Sequence, residues 1–325
     1  MELAATLALA PLAGDLDRME AALRASVRHE DQFLGEVGAH LIQAGGKRIR
    51  PTLTLCAAYA ARGGERAVTD DVVTGSVACE LVHLGSLHHD DVIDEAETRR
   101  GVPSVNARWS NIVAILSGDF LLARASALAA SLGAEIAGLL ADTIGELCRG
   151  QVLELQHLFD VTRSEEDYVS AIEGKTASLF ATSCRIGGMV SGVDEPTLDA
   201  LTRFGSHLGM CFQVVDDVLD LTASDETLGK PAGQDLIEGI YTLPVIYAIG
   251  ESAGLRALLG GPLDGARRDD ARRLATENGA VDAALAVARD HATKASEALA
   301  GADGLDPDVT GGLRRLVDGL VDRDR

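Results

Sequence analysis

Residues 80–100 read ELVHLGSLHHDDVIDEAETRR, an apolar run that ends in the aspartates Asp90, Asp91 and Asp94. The apolar positions continue upstream, so the spacing predicts one long helix over 68–96. On a helix, residues i and i+4 lie one turn apart on the same face, so Asp90 and Asp94 point the same way. Carboxylates at that spacing repel one another. A chain that keeps them there is built to hold a cation between them.

The same DDxxD pattern returns downstream. Residues 213–220 read QVVDDVLD, which places Asp216, Asp217 and Asp220 in a second apolar helical stretch. A single acidic cluster in an acidic protein is as readily a solvated helix face. Two copies, each preceded by apolar residues rather than by more charge, argue against that. Mg²⁺ suits both clusters, because it takes one or two carboxylates and completes its shell with water and substrate phosphates.

The rest of the chain is consistent with an all-α protein. Its 325 residues are 46 % hydrophobic but only 3 % aromatic, so Leu, Val, Ile and Ala must build the core. Such Ala-rich segments favour helix over strand. Helices are expected over 15–43, 51–61, 68–96, 110–132, 134–158, 165–190 and 195–222. A further helix begins at LPVIYAIG, and the last ones cover 267–277, 280–300 and 307–321. Residues 97–110 and the segment TASDETLGKPAGQDLIEGIY read as loops. No Pro/Ser-rich linker divides the chain, which is read as a single domain over 1–325.

A net charge of −21 excludes a nucleic-acid partner, which needs a basic footprint. The apolar N-terminal residues 3–13 lack a basic flank and are too short to span a bilayer. No later stretch reaches spanning length without charges, so no integral membrane segment is expected. The five scattered cysteines read as reduced core thiols of a cytoplasmic protein.

Against this acidic background, cations cluster locally. Lys47, Arg48 and Arg50 share the turn GGKRIRP, Arg99 and Arg100 follow the first aspartate cluster, and Lys175 and Lys230 stand in GKT and GKP. Taken singly each is an ordinary surface ion-pair partner. Their company suits phosphate oxygens.

These motifs, in order, resemble the trans-isoprenyl diphosphate synthases, or polyprenyl synthetases. The resemblance runs over about residues 40–250: GGKRIRP, ELVHLGSLHHDDVIDEAETRRGVPSVN, GDFLLARA, EDYVSAIEGKTASLF, FQVVDDVLD, LGKPAGQDL and EGIYTLPVIYA. It implies a bundle of long antiparallel helices around a central active-site cavity, and a homodimer. It also implies a transferase that joins an allylic diphosphate to isopentenyl diphosphate, head to tail, to give a linear trans-polyprenyl diphosphate. Both aspartate clusters would hold a trio of Mg²⁺ ions, and Asp90, Asp91, Asp94, Lys175, Asp216 and Asp217 would serve catalysis.

The resemblance assigns Arg99, Lys175 and Lys230 to the allylic diphosphate. Lys47, Arg50, His83 and Arg100 fall to isopentenyl diphosphate, and Thr176 and Gln213 to the wall near the developing cation. One position departs from the pattern: Ile240 stands in EGIYTLP where the family usually has Lys. A weaker hold on the allylic diphosphate, or compensation by Lys230, is expected there. Two other readings stay open, a terpene cyclase and a non-catalytic subunit of a heteromeric synthase. The intact aspartates and the second basic site weigh against both.

Product length is read from the first helix. A tail that runs from Asp90 toward the helix N-terminus meets Gly85 and Ser86 first. Both are small, where an aromatic residue would close the path. One turn rises about 5.4 Å, about one isoprene unit, so products of about C25 or longer are expected rather than C15–C20. Gly85 is also readable as a close helix–helix contact, and the floor as the helix that carries Phe120, Leu122 and Ser126.

Overall fold

Among residues 7, 9–223, 232–277 and 279–321, which the computed structural model describes, the only strands form one short hairpin. The helices are α1 (Leu12–Ser26), α2 (Gln32–Gln43), α3 (Ile49–Arg62) and α4 (Asp70–Ile93). The hairpin β1 (Thr98–Arg99) and β2 (Val102–Pro103) precedes α5 (Val105–Arg108), α6 (Asn111–Ser131) and α7 (Ala134–Gln156). Then come α8 (Glu165–Ile172), a π-helical turn (Glu173–Ala177), α9 (Ser178–Ser191) and α10 (Glu195–Thr222). The chain closes with α11 (Gln234–Glu238), α12 (Leu243–Glu251), α13 (Ala253–Leu258), α14 (Gly265–Thr276), α15 (Ala280–Ala300) and α16 (Pro307–Val321). The all-helical expectation holds.

Local chemistry explains where the expected boundaries shift. The helix expected over 15–43 is two, because the Asp31 side chain accepts a hydrogen bond from the Leu34 N–H and caps a new start. The helix expected over 165–190 is interrupted by the π turn that carries Lys175 and Thr176. Its start is fixed by a capping box between Ser164 and Asp167. The expected loop 97–110 holds the hairpin and α5, whose Ser104 cap accepts from the Ala107 N–H.

Two compact units divide these elements. The first contains residues up to 144 together with 179–205 and 298–316; the second contains 145–178, 206–297 and the residues from 317 on. In the first unit α4 is buried on nearly every side from Val72 to Leu84. Helix α6 crosses it where two glycines meet: a Cβ on Gly85 would lie 3.1 Å from the Gly118 carbonyl oxygen and from Leu122 Cγ. One on Gly118 would lie 2.3 Å from His89 Nε2. The close approach of the two backbones therefore depends on both glycines. In the second unit Leu221, Leu236, Tyr241, Val245 and Leu255 form a core. The Tyr241 hydroxyl accepts from the Gly260 N–H at 2.7 Å.

Cys56, Cys79, Cys184 and Cys211 are buried and reduced, as expected, but Cys148 is exposed. Burial pushes the Cys79 thiol up to about 11. By length and composition one described helix, Asn111–Ser131, is long and apolar enough to cross a membrane, with Asp119 and Arg124 inside it.

Candidate active site

The first aspartate cluster sits at the C-terminal end of α4. Asp90 and Asp94 are half-buried, and Asp94 caps the helix by donating its N–H to the Asp90 carbonyl at 2.8 Å. Asp91 differs. It is fully buried, and its Oδ1 accepts from Arg99 Nε and Nη2, both at 2.6 Å. Its Oδ2 is buried with no hydrogen-bond partner, an orphaned anionic oxygen of the kind a cation satisfies. Burial raises the Asp91 carboxyl above the usual range, and Arg99 pulls it back.

The short hairpin decides where the two arginines go. Arg100 and Gly101 take positive φ values of 55° and 76°, which turns the chain back within two residues. Arg99 consequently faces Asp91. Arg100 goes elsewhere: its Nη1 donates to the Leu41 carbonyl at 3.2 Å and to the Gly45 carbonyl. A Cβ on Gly46, whose φ is 148°, would stand 2.8 Å from the Arg100 guanidinium and push that side chain aside.

The turn Gly45–Arg50 brings further cations to the same place. Arg50 packs its guanidinium 5.0 Å from the Phe180 ring centroid, and its Nε is buried without a partner. Burial lowers its pKa to about 10, with the Arg100 charge adding to the depression and Glu80 opposing it. His83 is kept neutral by burial, reinforced by Arg50, Arg100, Arg99 and Arg48. Lys47 is exposed at the rim of the turn. The charge of Arg100 is thus felt at Arg50, and the charges of both at His83.

The structure adds Glu80, which no motif singles out, as the partner of Arg48. Arg48, in the left-handed conformation at φ 48°, donates from Nη1 to Glu80 Oε1 at 2.9 Å and from Nε to Glu20 at 2.9 Å. Glu80 is 1 % exposed. The available signal was a carboxylate three residues before His83, flanked by the apolar residues Ala78, Cys79, Leu81 and Val82.

Ser86 is half-buried and donates its hydroxyl to the His83 carbonyl at 2.9 Å. Gly85 instead points at α6, across the contact described above.

In the second unit α10 carries the other cluster. Asp216 is exposed, whereas Asp217 is buried and uses both oxygens within the protein. Its Oδ2 accepts from the Tyr168 hydroxyl at 2.6 Å, and its Oδ1 from Gln213 Nε2 at 2.7 Å. Gln213 Oε1 in turn accepts from the Thr176 hydroxyl at 2.7 Å. Burial raises the Asp217 carboxyl to about 7 against the pull of these hydrogen bonds. Asp220 is buried too, and its Oδ2 accepts from the Asp235 N–H at 3.3 Å.

The π turn places Lys175, whose ammonium pairs with Glu154 of α7. This approach also needs glycine on both sides, since a Cβ on Gly150 would lie 2.2 Å from the Lys175 nitrogen and one on Gly174 2.6 Å from the Glu146 carbonyl. Buried Arg163 donates to the Tyr241 carbonyl at 3.0 Å and lies 5.5 Å from the Tyr168 ring centroid. Ile240 follows Gly239 and donates its N–H to the Asp235 carbonyl at 2.8 Å. Lys230 lies outside the described residues.

Among the described residues no three His, Cys, Asp or Glu side chains converge into a ready-made metal site. The donor set still fits a hard divalent ion: pairs of aspartates one turn apart, with room in the shell for phosphate oxygens.

The model of the Polyprenyl synthetase family matches residues 31–273, and the chain belongs to that family. A nonaprenyl diphosphate synthase of Mycobacterium tuberculosis is 40 % identical over 310 residues, which cover 94 % of this chain and 90 % of the relative. A heptaprenyl diphosphate synthase component 2 of Geobacillus stearothermophilus is 44 % identical over 241 residues, 74 % of each chain. Among solved structures, a polyprenyl synthase of Caulobacter crescentus in complex with calcium and isoprenyl diphosphate superimposes with a TM-score of 0.90. It shares 34 % identity and covers 98 % of both chains.

Proposed function

We propose that this chain is a Mg²⁺-dependent trans-prenyltransferase that extends an allylic diphosphate with isopentenyl diphosphate. One observation carries the reading. Helix α4 bears an aspartate pair at its C-terminal end, and ten residues earlier, about 15 Å along the axis, its side chains face a buried arginine cluster. A metal-dependent and a metal-independent diphosphate site on one helix are what a two-diphosphate condensation needs.

In this reading Asp90, Asp91, Asp94, Asp216, Asp217 and Asp220 hold the trio of Mg²⁺ ions, which supply charge neutralisation of the leaving diphosphate. Arg99, Lys175 and Lys230 bind the allylic diphosphate. For Arg99 and Lys175 this means exchanging the carboxylates they now hold, Asp91 and Glu154, for phosphate oxygens. Lys47, Arg50, Arg100 and His83 grip isopentenyl diphosphate. With both diphosphates held, the C–O bond of the allylic substrate ionises and the isopentenyl double bond attacks the resulting carbocation. Positioning replaces a protein nucleophile. Thr176 and Gln213 line the allylic side, and the released diphosphate takes the proton.

Products of medium or long chain, about C25 or longer, are supported by the small residue Ser86 one turn before Asp90 and by the relatives' names. We assign the whole chain to one catalytic domain, as the family match over both units supports. A cytoplasmic homodimer completes the proposal. Ile112, Ile115 and Leu116 of α6 are large apolar residues left exposed, up to 70 % for Ile112, and suit burial against a second copy.

A second reading has its own support, because the relative from Geobacillus stearothermophilus is named as one component of its synthase. Turnover of isopentenyl and farnesyl diphosphates by the purified chain alone decides between them. Mg²⁺-dependent turnover is expected; none at any protein concentration, restored by a partner subunit, establishes the component reading.

A further inference from the structure

We propose that Glu80 is a positioning residue for the isopentenyl diphosphate site, acting through Arg48 and Arg100 rather than on substrate. The inference rests on the assignment of Arg50 and Arg100 to that site.

Glu80 is the shared counter-ion of the arginine cluster. Its Oε1 accepts from Arg48 Nη1 at 2.9 Å and stands 3.9 Å from Arg100 Nη2. Without a carboxylate there, Arg48, Arg50 and Arg100 would repel one another in a buried setting where charge is weakly screened. Arg48 repulsion is already felt at Arg100, and that of Arg100 at Arg50.

The carboxylate also fixes the backbone that presents the cations. A non-glycine residue in the left-handed region is held there by its surroundings. The Arg48 guanidinium supplies that hold, with bonds to Glu80, to Glu20, to the Ile42 carbonyl at 3.1 Å and to the Gly45 carbonyl at 3.2 Å. Arg100 Nη1 donates to the same Gly45 carbonyl. Lys47 precedes Arg48 and Arg50 follows it two residues on, so their placement follows from this knot. Glu80 thus ties the turn 45–50 to α4, the helix that bears Asp90 and Asp94.

The sign of the effect separates positioning from plain electrostatics. Glu80→Gln keeps the volume and removes a negative charge beside an anion site. If Glu80 acted only through its field, the variant would bind isopentenyl diphosphate more tightly. If Glu80 were merely structural, the melting temperature would fall with neither KM changed, or both KM values would move together. Positioning predicts that KM for isopentenyl diphosphate rises about tenfold or more, with the allylic KM within about twofold of wild type. It further predicts kcat largely kept at saturating isopentenyl diphosphate.

Should Glu80→Gln fail to fold, the double variant Arg48→Met/Glu80→Gln removes the charge pair together. It is expected to fold and to show the same selective rise. Calorimetric titration of isopentenyl diphosphate in EDTA reads this site without the metal-dependent one. A wild type that binds the ligand but never turns over, alone or with a partner subunit, sinks the prenyltransferase reading and leaves Glu80 testable by the same titration. Unchanged or tighter binding in a folded variant overturns the proposal.

Discussion

Arg99 and Arg100 are neighbours in sequence with different partners: Arg99 Nε lies 2.6 Å from Asp91, while Arg100 Nη1 donates to the Leu41 carbonyl at 3.2 Å. The hairpin turn at Arg100 and Gly101 separates them. Arg100→Ala should therefore raise KM chiefly for isopentenyl diphosphate, and Arg99→Ala chiefly for the allylic substrate. Steady-state kinetics with each substrate varied in turn checks this, and equal effects on both substrates would break the assignment.

The aspartates should divide by burial. Asp90→Ala and Asp216→Ala remove carboxylates that are half-buried or exposed, so most turnover should be lost with the circular dichroism spectrum and melting temperature kept. Asp217→Ala strips an acceptor from both Tyr168 and Gln213 and should destabilise the fold as well. Tyr168→Phe should cost about 1–3 kcal/mol in a urea melt, the range for leaving a buried polar group short of a partner. Wild-type turnover in Asp90→Ala or Asp216→Ala would contradict the metal assignment.

Much of this was legible in the sequence because it is local. The DDxxD spacing places carboxylates on a helix face whatever the fold, and Gly and Pro punctuate most of the helices. What stayed hidden depends on partners far apart along the chain. Arg48 meets Glu20 and Glu80 across 28 and 32 residues, and no spacing rule connects them. Asp217 looks like Asp216 in sequence, and only the packing of Tyr168 over it reveals its burial. The Gly85 side that faces α6 is set by a helix crossing, which periodicity alone does not orient. The π turn at Glu173–Ala177 has no distinctive residue signal.

That crossing sharpens the test of product length. Ser86→Phe enters a half-buried position and should shorten the products with turnover kept. Gly85→Phe must displace the Gly118 carbonyl and Leu122, so its product change should come with a lower melting temperature. Product chromatography beside a thermal melt reads both. An unchanged product spectrum in folded Ser86→Phe means that α4 is not the ruler.

Metal and diphosphate should stabilise the protein together more than the sum of each alone, because each completes the other's shell on the aspartates. A thermal-shift matrix of Mg²⁺ against inorganic diphosphate measures this. Additive shifts would argue against a shared site.

The most direct test is to supply the purified chain with labelled isopentenyl diphosphate and one allylic primer at a time, with Mg²⁺ or with EDTA, and to size the dephosphorylated products by chromatography. Label in linear prenyl alcohols of about C25 or longer, formed with Mg²⁺ and absent with EDTA, is the predicted result. Cyclic hydrocarbons formed without incorporation of label, or equal turnover in EDTA, would contradict it.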